Sequence, residues 1–508
     1  MTQLQPAPDE TSQTSLHRGR LGILGIVFFV VAAAAPLVGM TGGVPVAIVL
    51  GNGAAAPGAY MVVGVVLLCF SVGYAAMATK VTNAGAFFAF VGRGLGIIPG
   101  VGSAFVSLVA YIAVQLAVYG FFGAVIAGQM DSSFGISWSW WVWVLIAWAL
   151  VTGLSALSVD IGAKVLGVLM TFELLSLMIT SFAVLFSGNK PEGVDFGASF
   201  SLPNIFVGGL ASTAGVALLF AFASFIGFEA TAIYGEEARE PHKTVPRATY
   251  LAIVTIMVIF GFASFAIVTG LGSSQVIDQV VTLSTVNKVP LTDPANVLFT
   301  VAETYVGGWM RDVMSWLVIS SLFAGLLAFQ NSAARYFFAM GRAGVLPKAL
   351  DRVNGRGAPQ AATLTTSVIT LLVIVDFAVQ GRDPVLTLFY WFSGLAVLAI
   401  VFVEILVSVA VIAFFSRRQG EVSVWASVMA PLLSIGGLLV GLWLLASRFG
   451  LLAGTVKAGV DPTTQPWGLN TTGWILVISP FAMFVVGTIV GKMRLTEENE
   501  DAIADLVT

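Results

Sequence analysis

Charge is scarce in this 508-residue chain, because only 10% of its residues are Asp, Glu, Lys or Arg. Hydrophobic residues make up 58%, and the mean hydropathy is +0.96. A water-soluble domain cannot bury that much apolar surface, so the composition excludes an ordinary soluble protein and predicts a chain solvated largely by lipid. The net charge of −3 gives no basis for nucleic-acid binding.

Cysteine and histidine are also rare. The single cysteine, Cys69, excludes an intrachain disulfide, and the only two histidines, His17 and His242, lie in polar stretches far apart. The chain has no metal-type Cys/His cluster and no GxxxxGK[ST] loop. These absences predict a protein that is not an enzyme and has no metal or other cofactor.

Long apolar runs dominate instead. A helix needs roughly 20 apolar residues to cross about 30 Å of hydrocarbon, and twelve runs meet that need. They predict an all-α membrane protein with twelve transmembrane helices. The segments are 21–50, 56–79, 97–128, 138–158, 163–187, 206–235, 247–271, 311–340, 361–380, 385–415, 422–446 and 471–492.

The domain organisation follows from these runs. Residues 1–20 are polar and lack an apolar core, which indicates a disordered tail rather than a signal peptide. We expect a ten-helix core over 21–415, two peripheral helices over 422–492 and a second tail over 493–508. In the longest link, 272–310, the stretch "PANVLFTVAETYVG" predicts a short surface helix.

Orientation follows from the Lys and Arg residues, which concentrate on the cytoplasmic side of membrane proteins. With the amino terminus inside, most of them fall in inner segments and both tails are cytoplasmic. This predicts a multi-pass protein of the plasma membrane. The exceptions are Lys190, Lys288, Arg311, Arg382, Arg448 and Lys457.

Segments one and six are interrupted. The first contains Pro36, Pro45 and the cluster Gly39-Met40-Thr41-Gly42-Gly43, and the sixth is interrupted at 224–227. Proline removes a backbone donor and glycine permits non-helical backbone, so both helices should break. Five spans separate the starts of the two segments, as in an inverted repeat of spans 1–5 (21–187) and 6–10 (206–415). Close packing or a simple kink is the alternative.

Two broken helices at the membrane midplane expose backbone groups that need polar partners. The start of a half-helix offers N–H groups and partial positive charge, which suit a carboxylate. Its end offers carbonyls, which suit an ammonium group or a metal cation. Together they predict a site for a zwitterion.

Three stretches resemble the amino acid, polyamine and organocation (APC) permeases. These are "SFIGFEATAIYGEEAREPHKTVPRA" at 224–248, "KVTNAGAFFAFVGRGLG" at 80–96 and "NSAARYFFAMGRAGVLPKAL" at 331–350. The resemblance covers about 19–415 and implies a LeuT-type fold that transports amino acids or related amines by alternating access. It further implies that backbone at Gly39, Met40, Thr41, Gly42 and Gly43 receives the substrate carboxylate. The remaining implied substrate-binding residues, around the amino group, are Phe222, Ala223, Ser224, Phe225, Ile226 and Gly227.

The chain departs from the family pattern at two points. It has "LVGMTGGVP" where members often have "IGTGIF", so the region is better supported than any single residue. An aromatic gate that some members carry at the position of Ala223 is absent. Phe222, Phe225 or Phe228 would replace it, or the pocket is roomier.

Three acidic residues stand out within the predicted spans, where a carboxylate costs on the order of 2.5 kcal/mol or more. Glu173 in span 5 is the first candidate for coupling, since it stands where some related permeases carry a lysine; a lysine-based mechanism therefore does not transfer. Glu229 either caps free amides at the break or carries a proton. Glu404 in span 10 shows no partner. For each, a packing role is the alternative.

Tyr111 and Gln115 in span 3 are four residues apart and share one helix face. They either line the substrate cavity or make an interhelical hydrogen bond. The overall prediction is a secondary transporter, with proton symport favoured over exchange without ion drive and over a transport-inactive amino acid sensor. Ser320 and Ser321 keep sodium as an alternative coupling ion. Neutral or cationic substrates are favoured over dicarboxylates.

Overall fold

The structure is a computed structural model that describes residues 22–81, 86–157, 163–229, 231, 240–354, 358–418 and 420–495. Across these ranges the regular structure is helical, and the only β features are the isolated bridges Val286 to Val289 and Val456 to Leu469. The predicted tail 1–20 lies outside the described residues. So do residues 232–235 of predicted span 6 and most of the tail 493–508.

The first half of the chain forms seven main helices. They are α1 (Ile23–Ala34), α2 (36–52), α3 (Ala56–Ala78), α4 (Ala86–Leu95), α5 (Ile97–Phe134), α6 (Trp140–Ala156) and α7 (Ala163–Phe186). Short helical turns follow at Phe196–Phe200, Leu202–Ile205 and Gly209–Ala211.

The rest of the chain contributes nine more main helices. They are α8 (Ala214–Phe225), α9 (Pro241–Leu271), α10 (Val276–Ser284), α11 (Ala295–Tyr305), α12 (Gly308–Arg342), α13 (Gln360–Val379), α14 (Pro384–Ser416), α15 (Trp425–Ser447) and α16 (Thr471–Arg494). Shorter turns lie at Lys348–Asp351 and Phe449–Ala453.

The expectation of an all-helical membrane protein is confirmed. Within the described ranges, 9 helices are long and apolar enough to cross a membrane, with α2 and α3 counted as the single stretch Pro36–Ala78. Trp140–Ala156 and Ala214–Phe225 are apolar but shorter. The count of twelve spans therefore stays a prediction.

The first helix is interrupted at Ala35, which has left-handed backbone (φ 43°, ψ 68°) between α1 and α2. Proline disfavours α-helical backbone in the residue before it and fits the first position of a new helix. Pro36 therefore ends one helix and starts the next. The glycine cluster was expected to be unwound, but Gly39–Gly43 is a π-helical turn inside α2.

The second interruption follows α8. Helical backbone ends at Phe225, Ile226 is extended in ψ (129°), and Gly227 has φ +108°. This falls within 224–227, where the interruption was predicted. A positive φ costs glycine little because it has no β-carbon.

Helix packing places α5 at the centre of the molecule, in contact with α4, α12, α14 and α16. On the side of the predicted outer link, α11 packs against the Gly39–Gly43 turn. Helices α15 and α16 correspond to the pair predicted as peripheral. Both pack closely against the core: α15 lies against α3, α8 and α14, and α16 lies along α5.

Candidate functional site

The two interruptions lie side by side. A β-carbon on Gly227 would stand 2.9 Å from the Ala33 β-carbon at the end of α1. Beyond the breaks, a β-carbon on Gly39 would stand 3.3 Å from the Ser224 hydroxyl oxygen, and one on Gly43 would stand 3.0 Å from Phe220. The fold thus brings the predicted stretch 39–43 against Ser224 of the predicted stretch 222–227 and against Phe220, which precedes it.

A buried carboxylate occupies the start of α2. Glu173, on α7, is 4% exposed, and its Oε1 accepts a hydrogen bond of 2.8 Å from the Leu37 backbone N–H. Pro36 has no N–H, so Leu37 supplies the first amide of this half-helix. The positive end of α2 is suited to an anion, and Glu173 provides one from a neighbouring helix.

Glu229 holds the second break in shape. Its Oε2 accepts the Gly227 N–H at 2.8 Å, and its Oε1 accepts the Tyr111 hydroxyl at 2.8 Å. The Tyr74 hydroxyl donates to the Glu229 backbone carbonyl at 2.9 Å. The side chain is 1% exposed. Both carboxylate oxygens therefore have donors, one from the break itself and one from α5.

Aromatic side chains that the sequence did not single out close over α2. Phe121 of α5 stacks on Phe389 of α14, with ring centroids 4.8 Å apart. A β-carbon on Gly42 would stand 2.9 Å from Phe389 and 3.0 Å from Phe121. With 37 phenylalanines in the chain, composition could not distinguish these two.

Other predicted residues of the site are buried in or beside α2 and α8. Met40 is fully buried, and the Thr41 hydroxyl donates to the Leu37 carbonyl at 2.8 Å. Ala223 is half-buried, whereas Phe225 and Ile226 are buried. None of these side chains offers a free charge to a ligand.

Two predicted residues point elsewhere. Phe222 lies on the opposite face of α8 from Phe220 and Ser224, and a β-carbon on Gly441 of α15 would come within 2.8 Å of its ring. Gln115 donates at 2.6 Å to Gln330 of α12, which in turn donates to Ser367 of α13. Gln115 thus makes the interhelical hydrogen bond that was the alternative to a cavity position.

The two serines considered for sodium differ in position. Ser321 lies beside Glu173, whereas the Ser320 hydroxyl donates to the Leu317 carbonyl at 2.9 Å. No group of three or more His, Cys, Asp or Glu that could hold a metal ion occurs in the part of the chain that the structure describes. The polar groups next to the breaks are therefore two carboxylates, hydroxyls and backbone.

Comparison with known proteins identifies one family and several relatives. Residues 25–498 match the amino acid permease family. The branched-chain amino acid permease BcaP of Lactococcus lactis is 25% identical over 30% of this chain and 30% of its own length. The lysine-specific permease LysP of the same species is 25% identical over 46% of each chain. The histidine permease of Saccharomyces cerevisiae is 28% identical over 54% of this chain and 45% of its own length. Each alignment thus spans less than half of the relative.

Proposed function

Because the chain belongs to the amino acid permease family, whose members are transporters and not enzymes, we propose that it moves amino acids or related amines across the plasma membrane by alternating access. The arrangement we propose is twelve spans with both tails cytoplasmic and an inverted, LeuT-type repeat of spans 1–5 and 6–10. Support comes from the two interruptions that meet at Ala33 and Gly227, since transporters of this kind bind substrate where broken helices face each other.

The coupling ion in this proposal is the proton, and its carrier is Glu173. The observation that carries it is the hydrogen bond from the Leu37 amide to Glu173. An ionised Glu173 occupies the half-helix end that suits a substrate carboxylate and repels that carboxylate. A proton on Glu173 removes the repulsion, so proton and substrate bind together, as symport requires.

Neutral or cationic substrates fit this site better than dicarboxylates. Two buried carboxylates, Glu173 and Glu229, flank the breaks, and no lysine or arginine makes an ion pair with either in the described residues. A second substrate carboxylate would meet repulsion without a counter-charge. The relatives' names include branched-chain, lysine and histidine permeases, which is compatible with this range.

Purified protein in liposomes tests both the proposed transport and the proposed proton coupling through Glu173. We expect the wild type to accumulate amino acids when an inward proton gradient is imposed and to catalyse substrate counterflow. Glu173→Gln should retain counterflow but lose the acceleration by the proton gradient. Glu303→Gln, which removes an exposed partner of Arg311, is the matched control and should behave as wild type.

The outcomes separate the alternatives. Proton-driven uptake that survives Glu173→Gln would overturn the role of Glu173. Counterflow without response to proton or sodium gradients would indicate an exchanger, and a response to sodium alone would replace the proton. Amino acid binding without any counterflow would overturn transport and indicate a sensor.

A further inference from the structure

A buried arginine, Arg448, directly follows α15 and takes no part in the site described above. Its Nη1 donates hydrogen bonds of 2.7 Å to the Pro462 carbonyl and 3.1 Å to the Thr463 carbonyl, and its Nη2 donates to the Ala211 carbonyl. No carboxylate forms an ion pair with it within the part of the chain that the structure describes. A buried cation needs hydrogen-bond acceptors, and backbone carbonyls from two separate segments supply them.

The first of these segments is the 454–470 loop, which joins α15 to α16. The loop is folded on itself, because the Lys457 N–H donates to the Gly468 carbonyl at 2.9 Å. Next to the two carbonyls that the arginine binds, Asp461 accepts the N–H of Thr463 at 2.9 Å and its hydroxyl at 2.7 Å. The loop therefore holds these two acceptors in place by its own hydrogen bonds.

The second segment, residues 208–213, leads directly into α8. Gly208 and Gly209 are exposed and have φ angles of +86° and +59°. A β-carbon on Gly209 would meet nothing within 4 Å. Glycine enters and leaves such backbone at little cost, and here no packing opposes a change. The two glycines are therefore suited to act as a hinge.

The same segment contacts the first broken helix. The Thr213 hydroxyl donates at 2.7 Å to the Gly51 carbonyl near the end of α2. A β-carbon on Gly51 would stand 2.9 Å from the Ala217 β-carbon of α8. The end of α2 and the start of α8 are thus joined to each other, and Arg448 joins them to the 454–470 loop.

The hydrogen bond to Ala211 is the easier end of this arrangement to break. Residue 211 is exposed, so water can replace the guanidinium at its carbonyl. A bond to one neutral carbonyl also lacks the opposite charge and the paired geometry of an arginine–carboxylate contact. Because the other two acceptors belong to the loop, Arg448 stays with the loop when the Ala211 contact opens.

We propose that Arg448 is a latch: through it the 454–470 loop holds the start of α8, and release of the Ala211 carbonyl lets α8 pivot at Gly208 and Gly209. Arg448 is a positioning residue, because it acts on the second break only through α8, which ends at that break. The link to transport rests on the proposed function, in which the broken helices move as the site opens to one side of the membrane or the other.

A pair of spin labels on the purified full-length protein tests the latch without any transport measurement. In a Cys69→Ala background, the labels are attached at Ala211→Cys and Gln465→Cys, where the side chains are exposed. Dipolar electron paramagnetic resonance then measures the distance between them. We expect one distance while Arg448 is present and an additional, longer distance in Arg448→Gln.

Two controls separate the latch from a general loss of structure. Arg311→Gln removes another guanidinium, one that pairs with Glu303 at 2.9 Å, and should leave the measured distance unchanged. A second pair of labels, at Lys457→Cys and Gln465→Cys, lies within the 454–470 loop. Its distance should stay the same in Arg448→Gln, because the loop has its own hydrogen bonds.

A single, unchanged distance between labels 211 and 465 in Arg448→Gln would overturn the proposal. A change between labels 457 and 465 would overturn it too, because Arg448 would then fold the loop rather than hold α8. If Arg448→Gln does not fold, Arg448→Lys is the second variant. Lysine keeps the charge but lacks the planar fork that reaches both segments, so the longer distance should appear again, and its absence would overturn the latch. A failure of counterflow would bear on the proposed function alone, since these distances are measured without substrate.

Discussion

Gly227 and Gly96 have nearly the same positive φ but different surroundings. Their φ angles are +108° and +106°, yet a β-carbon on Gly96 would meet nothing within 4 Å, whereas one on Gly227 would stand 2.9 Å from the Ala33 β-carbon. A methyl group fixed to a helix cannot move away as a long side chain can. Replacement by alanine therefore separates backbone strain from the contact between the two breaks.

We expect Gly96→Ala to cost ~1–3 kcal/mol of stability through strained backbone alone. Gly227→Ala should cost more and should also abolish counterflow, because it forces the two interruptions apart. Thermal unfolding in detergent and counterflow in liposomes measure the two effects. Ala33→Gly added to Gly227→Ala should restore part of the loss; equal losses in the two single variants, with no rescue, would contradict a close contact.

The residues of the site were partly predictable from sequence, and the reason is helix periodicity. Phe220 and Ser224 are four residues apart and face α2, so Phe222 between them faces away. This four-residue spacing can be read from the sequence, and it identifies the face of α8 that contacts α2. The Gly227 donor to Glu229 is local and agrees with the predicted capping of free amides at the break. The long-range pairs could not be read from the sequence, because Leu37 lies 136 residues from Glu173 and Tyr111 lies 118 residues from Glu229.

At the scale of the elements, glycine content predicted the position of the second helix interruption but not that of the first. Glycine at 227 marked the second break because that position needs a positive φ. In the first helix the break was predicted from two prolines and the glycine cluster 39–43, but it lies at Ala35, directly before Pro36. Glycines 39, 42 and 43 instead permit close approach of Ser224, Phe121, Phe389 and Phe220. Glycine thus serves packing in one helix and backbone geometry in the other.

A carboxylate ties two helix ends together outside the membrane spans. Glu192, in the loop after α7, accepts hydrogen bonds from the Ser274 hydroxyl and from the Ser273 hydroxyl at 2.8 Å, just beyond the end of α9. The Ser274 hydroxyl, with smaller contributions from Ser273 and the Ser274 amide, lowers the pKa of Glu192 below its ordinary value of 4.5. The contact therefore favours the ionised form.

The sign of the pH dependence follows from this lowered pKa. The stabilisation is present above the unfolded-state value of 4.5 and is lost as the pH falls through the lower folded-state pKa. We expect Glu192→Gln to unfold at a lower temperature than the wild type at neutral pH, with a difference that shrinks as the pH falls below 4.5. Thermal unfolding across a pH series measures it. Ser274→Ala should reproduce the loss, and a difference that is constant with pH would exclude this contact as the cause.

At the scale of the whole molecule, the C-terminal helix pair supports the broken helix. The Trp391 indole of α14 donates at 2.7 Å to the Ala453 carbonyl that follows α15. The Arg448 guanidinium, 3% exposed, donates to the Ala211 carbonyl just before α8 and at 2.7 Å to the Pro462 carbonyl. Hydropathy predicted that α15 and α16 exist but not which helices they touch, since lipid-facing and protein-facing surfaces are equally apolar.

Helix α15 of this pair packs against α8 at Gly215. A β-carbon there would stand 2.5 Å from the Leu444 carbonyl carbon, a backbone atom that can move only with α15. Gly215→Ala should therefore push α8 and α15 apart, lower stability by about 1–3 kcal/mol and reduce uptake by altering the position of the second break. Gly436→Ala in the same helix pair is the control, because a β-carbon at that site meets nothing within 4 Å. Thermal unfolding and uptake measured in parallel would show a loss in Gly215→Ala alone. If the two variants unfold alike and transport alike, α15 does not hold the broken helix in place. Helices α15 and α16 would then be peripheral to transport, as the sequence predicted.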